Sequence, residues 1–274
     1  MPTSIRPVRV NHLNVVLEDY DAGLAHFRAL FGADFLLDLP SAEWHACLID
    51  IGRVIFEIFV PPAFLLNSRH GAHYLGIEYQ ANMDEVRAAL TDHKVRIVRD
   101  IKVAVHTHPA DGYGVAFEFY DGAFHDNQWA ALDGAKMKPA EYWRDEHPLG
   151  LAGLKGYTLA VADLDAATAF FKSFISAEPV YDAARPAIAA RARGLQVADA
   201  ILELIAPTGD GPLQQHLQRL GQGIYSTVFT VRDLAQAQSY FAERGVPTVP
   251  GSAPDSIAIP AEANLGVIFE FTES

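Results

Sequence analysis

The stretch VIFEIF, residues 54–59, sets a glutamate, Glu57, inside a run of aliphatic and aromatic residues. The pattern returns as VAFEFY at 115–120, AILELI at 200–205 and VIFEFT at 267–272, bringing in Glu118, Glu203 and Glu270. An unpaired carboxylate is costly to bury, so each glutamate calls for a cation, a proton or hydrogen-bond donors. Four occurrences in one chain signal an internal repeat.

Each glutamate closes a similar length of chain. The first unit opens with VNHLNVVLEDYDAGLAHFRALFG, an apolar strand followed by a helix signal. Asp19 or Asp21 supplies the N-cap, Leu24, Phe27 and Phe31 one apolar face, and Gly32 the stop. The second unit repeats this with Asn82 as cap and Met83, Val86 and Leu90 as the apolar face. The third is capped by Asp163, and the fourth by Asp233 with a stop at Gly245. Counted along the chain, His12, His73, Tyr157 and Tyr225 occupy one slot of the opening strands. Their distances to the closing glutamates are 57−12=45, 118−73=45, 203−157=46 and 270−225=45. The order is strand, helix, then strands, four times over.

Between the second and third units lies a polar segment containing Gly and Pro, residues 126–150, which reads as a linker with a short helix. The expected division is therefore an N-terminal domain over 1–125 and a C-terminal domain over 151–274, each made of two units. The predicted fold class is α+β. Alternating strand residues such as Phe56, Phe59, Tyr79, Phe117 and Phe119 are expected to pack against the helices.

Composition narrows the function. The 274 residues are 50% hydrophobic and carry a net charge of −13, from 21 basic and 34 acidic side chains. That charge argues against a nucleic-acid surface. The opening MPTSIRPVRV lacks the apolar core of a signal peptide, and no apolar run reaches membrane-spanning length, so a cytoplasmic location is expected. Cys47 is the only cysteine, which excludes an intrachain disulfide and a thiolate cluster.

The openings HLNVVLEDYDAGLAHFRALFG and TLAVADLDAATAFF, with the closings DGYGVAFEFYD and ILELIAP, resemble the βαβββ modules of the vicinal oxygen chelate superfamily. Glyoxalase I, methylmalonyl-CoA epimerase, extradiol dioxygenases and drug-resistance binding proteins belong to it. The resemblance implies paired modules with curved mixed sheets around one divalent ion, held here by His12, Glu57, His73 and Glu118. Imidazole and carboxylate donors of this kind suit Fe, Mn, Co, Ni or Zn. Glu57 and Glu118 are also the candidates for moving a substrate proton.

In the third and fourth units tyrosines stand at the histidine slots, so the C-terminal domain is expected to hold no metal. If the first two units pair, one complete site results; pairing across the domains would leave one histidine per site. The leading expectation is a glyoxalase-like lyase, isomerase or epimerase acting on a small molecule that chelates through oxygen. An Fe(II) ring-cleaving dioxygenase and a small-molecule binding or resistance protein are the alternatives. A homodimer is an allowed assembly, with neither nucleic acid nor membrane as partner. His45, His106 and His108 are further candidates for lining the site.

Overall fold

The computed structural model describes residues 2–40, 45–60, 71–127 and 133–273. The first unit runs β1 (Arg9–Val16), α1 (Tyr20–Phe31), β2 (Asp34–Pro40), β3 (His45–Ile51) and β4 (Val54–Val60). The second runs β5 (His73–Gln80), α2 (Met83–Asp92), β6 (Ile97–Asp100), β7 (Ala104–Thr107) and β8 (Ala116–Tyr120). The third comprises β9 (Leu151–Ala160), α3 (Leu164–Phe174), β10 (Glu178–Arg185), β11 (Ala190–Val197) and β12 (Ala200–Pro207). A helix with no counterpart in the sequence reading, α4 (Pro212–Leu220), follows. The fourth unit is β13 (Gly223–Val231), α5 (Leu234–Glu243), β14 (Val249–Pro250), β15 (Ser256–Ile259) and β16 (Ile268–Thr272). All four are βαβββ modules.

The modules join in sequence order. One eight-stranded sheet runs β2-β3-β4-β1-β5-β8-β7-β6 and the other β10-β11-β12-β9-β13-β16-β15-β14. In every module the opening and closing strands are parallel partners, and the remaining pairs are antiparallel. The sheets are therefore mixed, with the strands of modules one and two in one and those of modules three and four in the other.

The four module helices start where the sequence places their caps. The side chains of Asp19, Asn82, Asp163 and Asp233 accept first-turn backbone N–H groups, which have no partner within the helix. Gly32 ends α1 at φ 65°, a left-handed conformation that glycine adopts without strain.

By close packing the chain sorts into two compact units. One comprises Met1–Asn11, Leu75–Ala123 and Gly156–Tyr225. Within it Phe117 and Phe119 lie edge-on to Phe174, with centroids 5.9 and 6.2 Å away, and the Tyr79 and Tyr157 hydroxyls are hydrogen-bonded. The other comprises His12–Tyr74, Phe124–Lys155 and Ser226–Ser274. Within it Phe56 stacks on Phe269 at 5.1 Å, and the Tyr240 hydroxyl donates to the Leu30 carbonyl at 2.9 Å. The aromatic strand residues are thus core. A π-helical turn, Tyr142–Glu146, buries Trp143, whose Nε1 donates to Asp50 at 3.2 Å. Burial pushes the Asp50 carboxyl up to about 7. Among the described residues no helix is long and apolar enough to cross a membrane.

Candidate metal centre

The register of the parallel pairs defines which residues share a slot. Asn14 lies opposite Glu57, Glu78 opposite Glu118, Thr158 opposite Glu203 and Val228 opposite Glu270. Two residues earlier in each opening strand stand His12, Gly76, Gly156 and Ser226. His73, Tyr157 and Tyr225 are therefore not the partners of His12. True spacings are 57−12=45, 118−76=42, 203−156=47 and 270−226=44, and the near-equal counts along the chain were a coincidence. Contacts agree with the new alignment. His12 Nε2 reaches Glu57 Oε2 at 3.7 Å, and Ser226 Oγ donates to Glu270 Oε1 at 2.6 Å.

Modules two and three carry glycine at this slot for a steric reason. A Cβ on Gly76 would collide with the Ala116 carbonyl oxygen, and one on Gly156 with the Ile201 carbonyl oxygen. No histidine fits at Gly76 unless the strands move apart.

The residues that do converge are His12, Glu78 and Glu118. All three are buried, and one ligand atom from each lies within 4.8 Å of the other two. Glu78 and Glu118 are cross-strand neighbours on one face of the sheet. Burial pushes the Glu78 carboxyl up to about 7, and hydrogen bonds with Glu118 and Asn11 partly offset the shift. Asn11 Nδ2 donates to Glu78 Oε1 at 2.8 Å and to the Gly122 carbonyl at 3.0 Å. His12 Nδ1 meets Asn14 Oδ1 at 2.6 Å. An amide oxygen only accepts, so Nδ1 carries the proton in the neutral ring and Nε2 presents a lone pair, the state a metal ligand needs.

Of the four residues expected to hold an ion, His12 and Glu118 are thus brought together. Glu57 contacts His12 but is not one of the three. His73 is not among them either: it begins β5, three residues ahead of the His12 slot, and its Nδ1 meets the Gly71 carbonyl at 2.9 Å. Glu78 escaped the sequence reading. Its signal was a second acidic residue, in LGIEYQ, within an apolar opening strand.

The other histidines divide. His106 pairs with Glu118 across β7 and β8, its Nε2 3.3 Å from Oε1. His108 instead caps the turn at Pro109–Asp111, its Nδ1 accepting from Ala110 N. His45 bonds Asp38 at 2.7 Å and stacks on Tyr20 at 4.2 Å.

The second sheet answers its glutamates with protein donors. Glu203 takes a bidentate pair of hydrogen bonds from Arg185 and one from the Tyr181 hydroxyl at 2.6 Å. Glu270 accepts from Ser226 Oγ, from Ser252 N at 2.7 Å and from Ser252 Oγ at 2.8 Å.

No protein-family model and no curated protein sequence matches the chain. Solved structures do. A triple mutant of 4-hydroxymandelate synthase from Streptomyces coelicolor superposes with a TM-score of 0.70 at 14% identity, covering 99% of this chain and 92% of that one. A Mn(II)-bound glyoxalase from Novosphingobium aromaticivorans gives 0.65 at 10% identity, with 98% and 83% covered. The fold is that of the vicinal oxygen chelate superfamily. The 2,3-dioxygenase LapB from Pseudomonas sp. KL28 is similar along its length too, with a TM-score of 0.61 at 12% identity over 98% and 93%. At these identities the likeness concerns the vicinal oxygen chelate architecture, which hosts several chemistries.

Proposed function

We propose that the chain is a divalent-metal-dependent enzyme of the glyoxalase-like kind, a cytoplasmic lyase, isomerase or epimerase acting on a small molecule with two neighbouring oxygens. The observation that carries this reading is the buried convergence of His12, Glu78 and Glu118. One neutral imidazole and two carboxylates suit a divalent ion, whose charge would offset two buried anions. Such an ion would polarise the substrate oxygens and stabilise negative charge developing beside a carbonyl.

The chain's own residues supply the rest. Asn14 holds the His12 tautomer, Asn11 orients Glu78, and Glu57, next to His12, is the carboxylate assigned to take and return the substrate proton. The donor set also weighs against the ring-cleaving reading. Oxygen-activating Fe(II) sites of the facial-triad type use two histidines and one carboxylate, the reverse of this composition.

Metal analysis of anaerobically purified protein tests the proposal. About one equivalent of a divalent ion, lost in His12→Ala, is the expected outcome. Oxygen uptake on adding catechol to iron-loaded protein would move the assignment to a dioxygenase. A wild-type protein that retains no ion would leave a binding protein.

A further inference from the structure

We infer that this centre is carboxylate-dominated, with Mn(II) or Mg(II) as its resident ion, because Glu78 and not a second imidazole is the donor contributed by the second module. The inference rests on the metal reading above. Its ground is steric first: the slot that holds His12 in module one is closed in module two by the approach of Gly76 to the Ala116 carbonyl. The next residue along β5 on the face of Glu118 is Glu78.

The surroundings prepare Glu78 for that role. Asn11 is buried and spends its two amide hydrogens on Glu78 Oε1 and the Gly122 carbonyl. The amide is fixed by a backbone anchor and in turn fixes the carboxylate, the arrangement by which an outer partner orients a ligand. Donors 2.0–2.1 Å from a common small ion lie about 3 Å apart when adjacent and about 4.2 Å apart when opposed. The three donor atoms, within 4.8 Å of one another, need only a small contraction to reach that geometry.

Hardness then decides the ion. Carboxylate and water oxygens suit Mg(II) and Mn(II), whereas additional imidazoles favour Zn(II), Ni(II) and Cu(II). With one nitrogen in the set, the intrinsic advantage of Zn(II) is narrowed and cellular availability favours the harder ions.

Titration calorimetry on metal-free protein with Mn(II), Mg(II) and Zn(II), backed by Mn(II) paramagnetic resonance, provides the test without reference to turnover. Glu78→Gln, which keeps the shape and the acceptor for Asn11, is expected to weaken Mn(II) binding by about tenfold or more. Glu78→His is expected to raise the preference for Zn(II) over Mn(II) by about tenfold or more. His73→Ala should leave Mn(II) affinity unchanged, and circular dichroism of each metal-free variant checks that it is folded. If Glu78→Gln binds Mn(II) like the wild type while His12→Ala does not, the inference falls and the metal reading stands. If the wild type binds none of the three ions, both fall.

Discussion

The two sheets of this protein share one topology and bury a closing-strand glutamate at the same register four times, yet they treat the charge in opposite ways. Glu57 and Glu118 are each 8% exposed, Glu203 6% and Glu270 1%. In the second sheet Arg185 neutralises Glu203, and three serine donors surround Glu270. In the first sheet the neighbours of the glutamates are themselves titratable: His12 beside Glu57, and Glu78 and His106 beside Glu118. The glutamate therefore belongs to the module, and the chemistry belongs to whatever stands next to it. A carboxylate locked by arginine is closed to an ion, while one set among an imidazole and another carboxylate has a use for it.

The largest effect that could break this comparison lies in the second sheet. Arg185→Met leaves Glu203 buried with the Tyr181 hydroxyl as its remaining donor among those described. Removing one partner of a buried ion pair costs about 3–5 kcal/mol. Urea unfolding at pH 7.5 should show a loss of that order, and a loss below about 1 kcal/mol would mean that the pair is not what holds Glu203 there.

The next effect belongs to the first sheet. An ion that binds only the folded chain stabilises it by about 2.7 kcal/mol at a hundred times its Kd. Thermal melts with and without Mn(II) should show that gain in the wild type and none in His12→Ala. An equal gain in the His12 variant would place the ion elsewhere and dissolve the contrast between the sheets.

Ser226 is the most direct structural counterpart of His12, and its replacement should cost less. Ser226→Ala removes one donor to a fully buried carboxylate and leaves Ser252 N and Oγ among the donors described. Hydrogen bonds to charged groups contribute about 1.5–3 kcal/mol, with the lower end expected where two donors remain. Denaturant unfolding of the variant measures it, and an unchanged midpoint would show that Glu270 is satisfied without this slot.

How far the sequence led is clearest at particular residues. Asp19, Asn82, Asp163 and Asp233 mark helix starts by local chemistry, and the structure has each helix there, because a cap depends on its own neighbours alone. The βαβββ order of the modules was legible for a similar reason, since the pattern recurs. The place of Glu78 beside Glu118 was not. Which residue faces a closing glutamate is set by strand register, and loops of unequal length shift that register without leaving a mark in a residue count. His73 stood at the right count and the wrong slot. Gly76 stood at the right slot, its significance visible only once the Ala116 carbonyl was seen against it.

The smallest effect concerns Glu57, and its sign is the informative part. His12 Nδ1 donates to Asn14 Oδ1, so in the neutral ring the Nε2 lone pair faces Glu57 Oε2 at 3.7 Å, beyond hydrogen-bond range. A lone pair facing a carboxylate is repulsive, whereas the Nε2 of a ligand imidazole faces a cation. Glu57→Gln removes the charge, keeps the shape and offers an amide N–H to that lone pair. In metal-free protein near pH 8.5 the variant should therefore be more stable than the wild type, by about 0.5–1.5 kcal/mol, the net worth of an ordinary hydrogen bond. The same variant should keep its Mn(II) affinity and lose turnover if Glu57 moves the proton while His12, Glu78 and Glu118 hold the ion. Loss of Mn(II) binding together with turnover would make Glu57 a fourth ligand. A loss of stability at pH 8.5 would show that the other contacts of Glu57 outweigh its repulsion with the His12 lone pair, and the contrast between the two sheets would then rest on Glu118 alone.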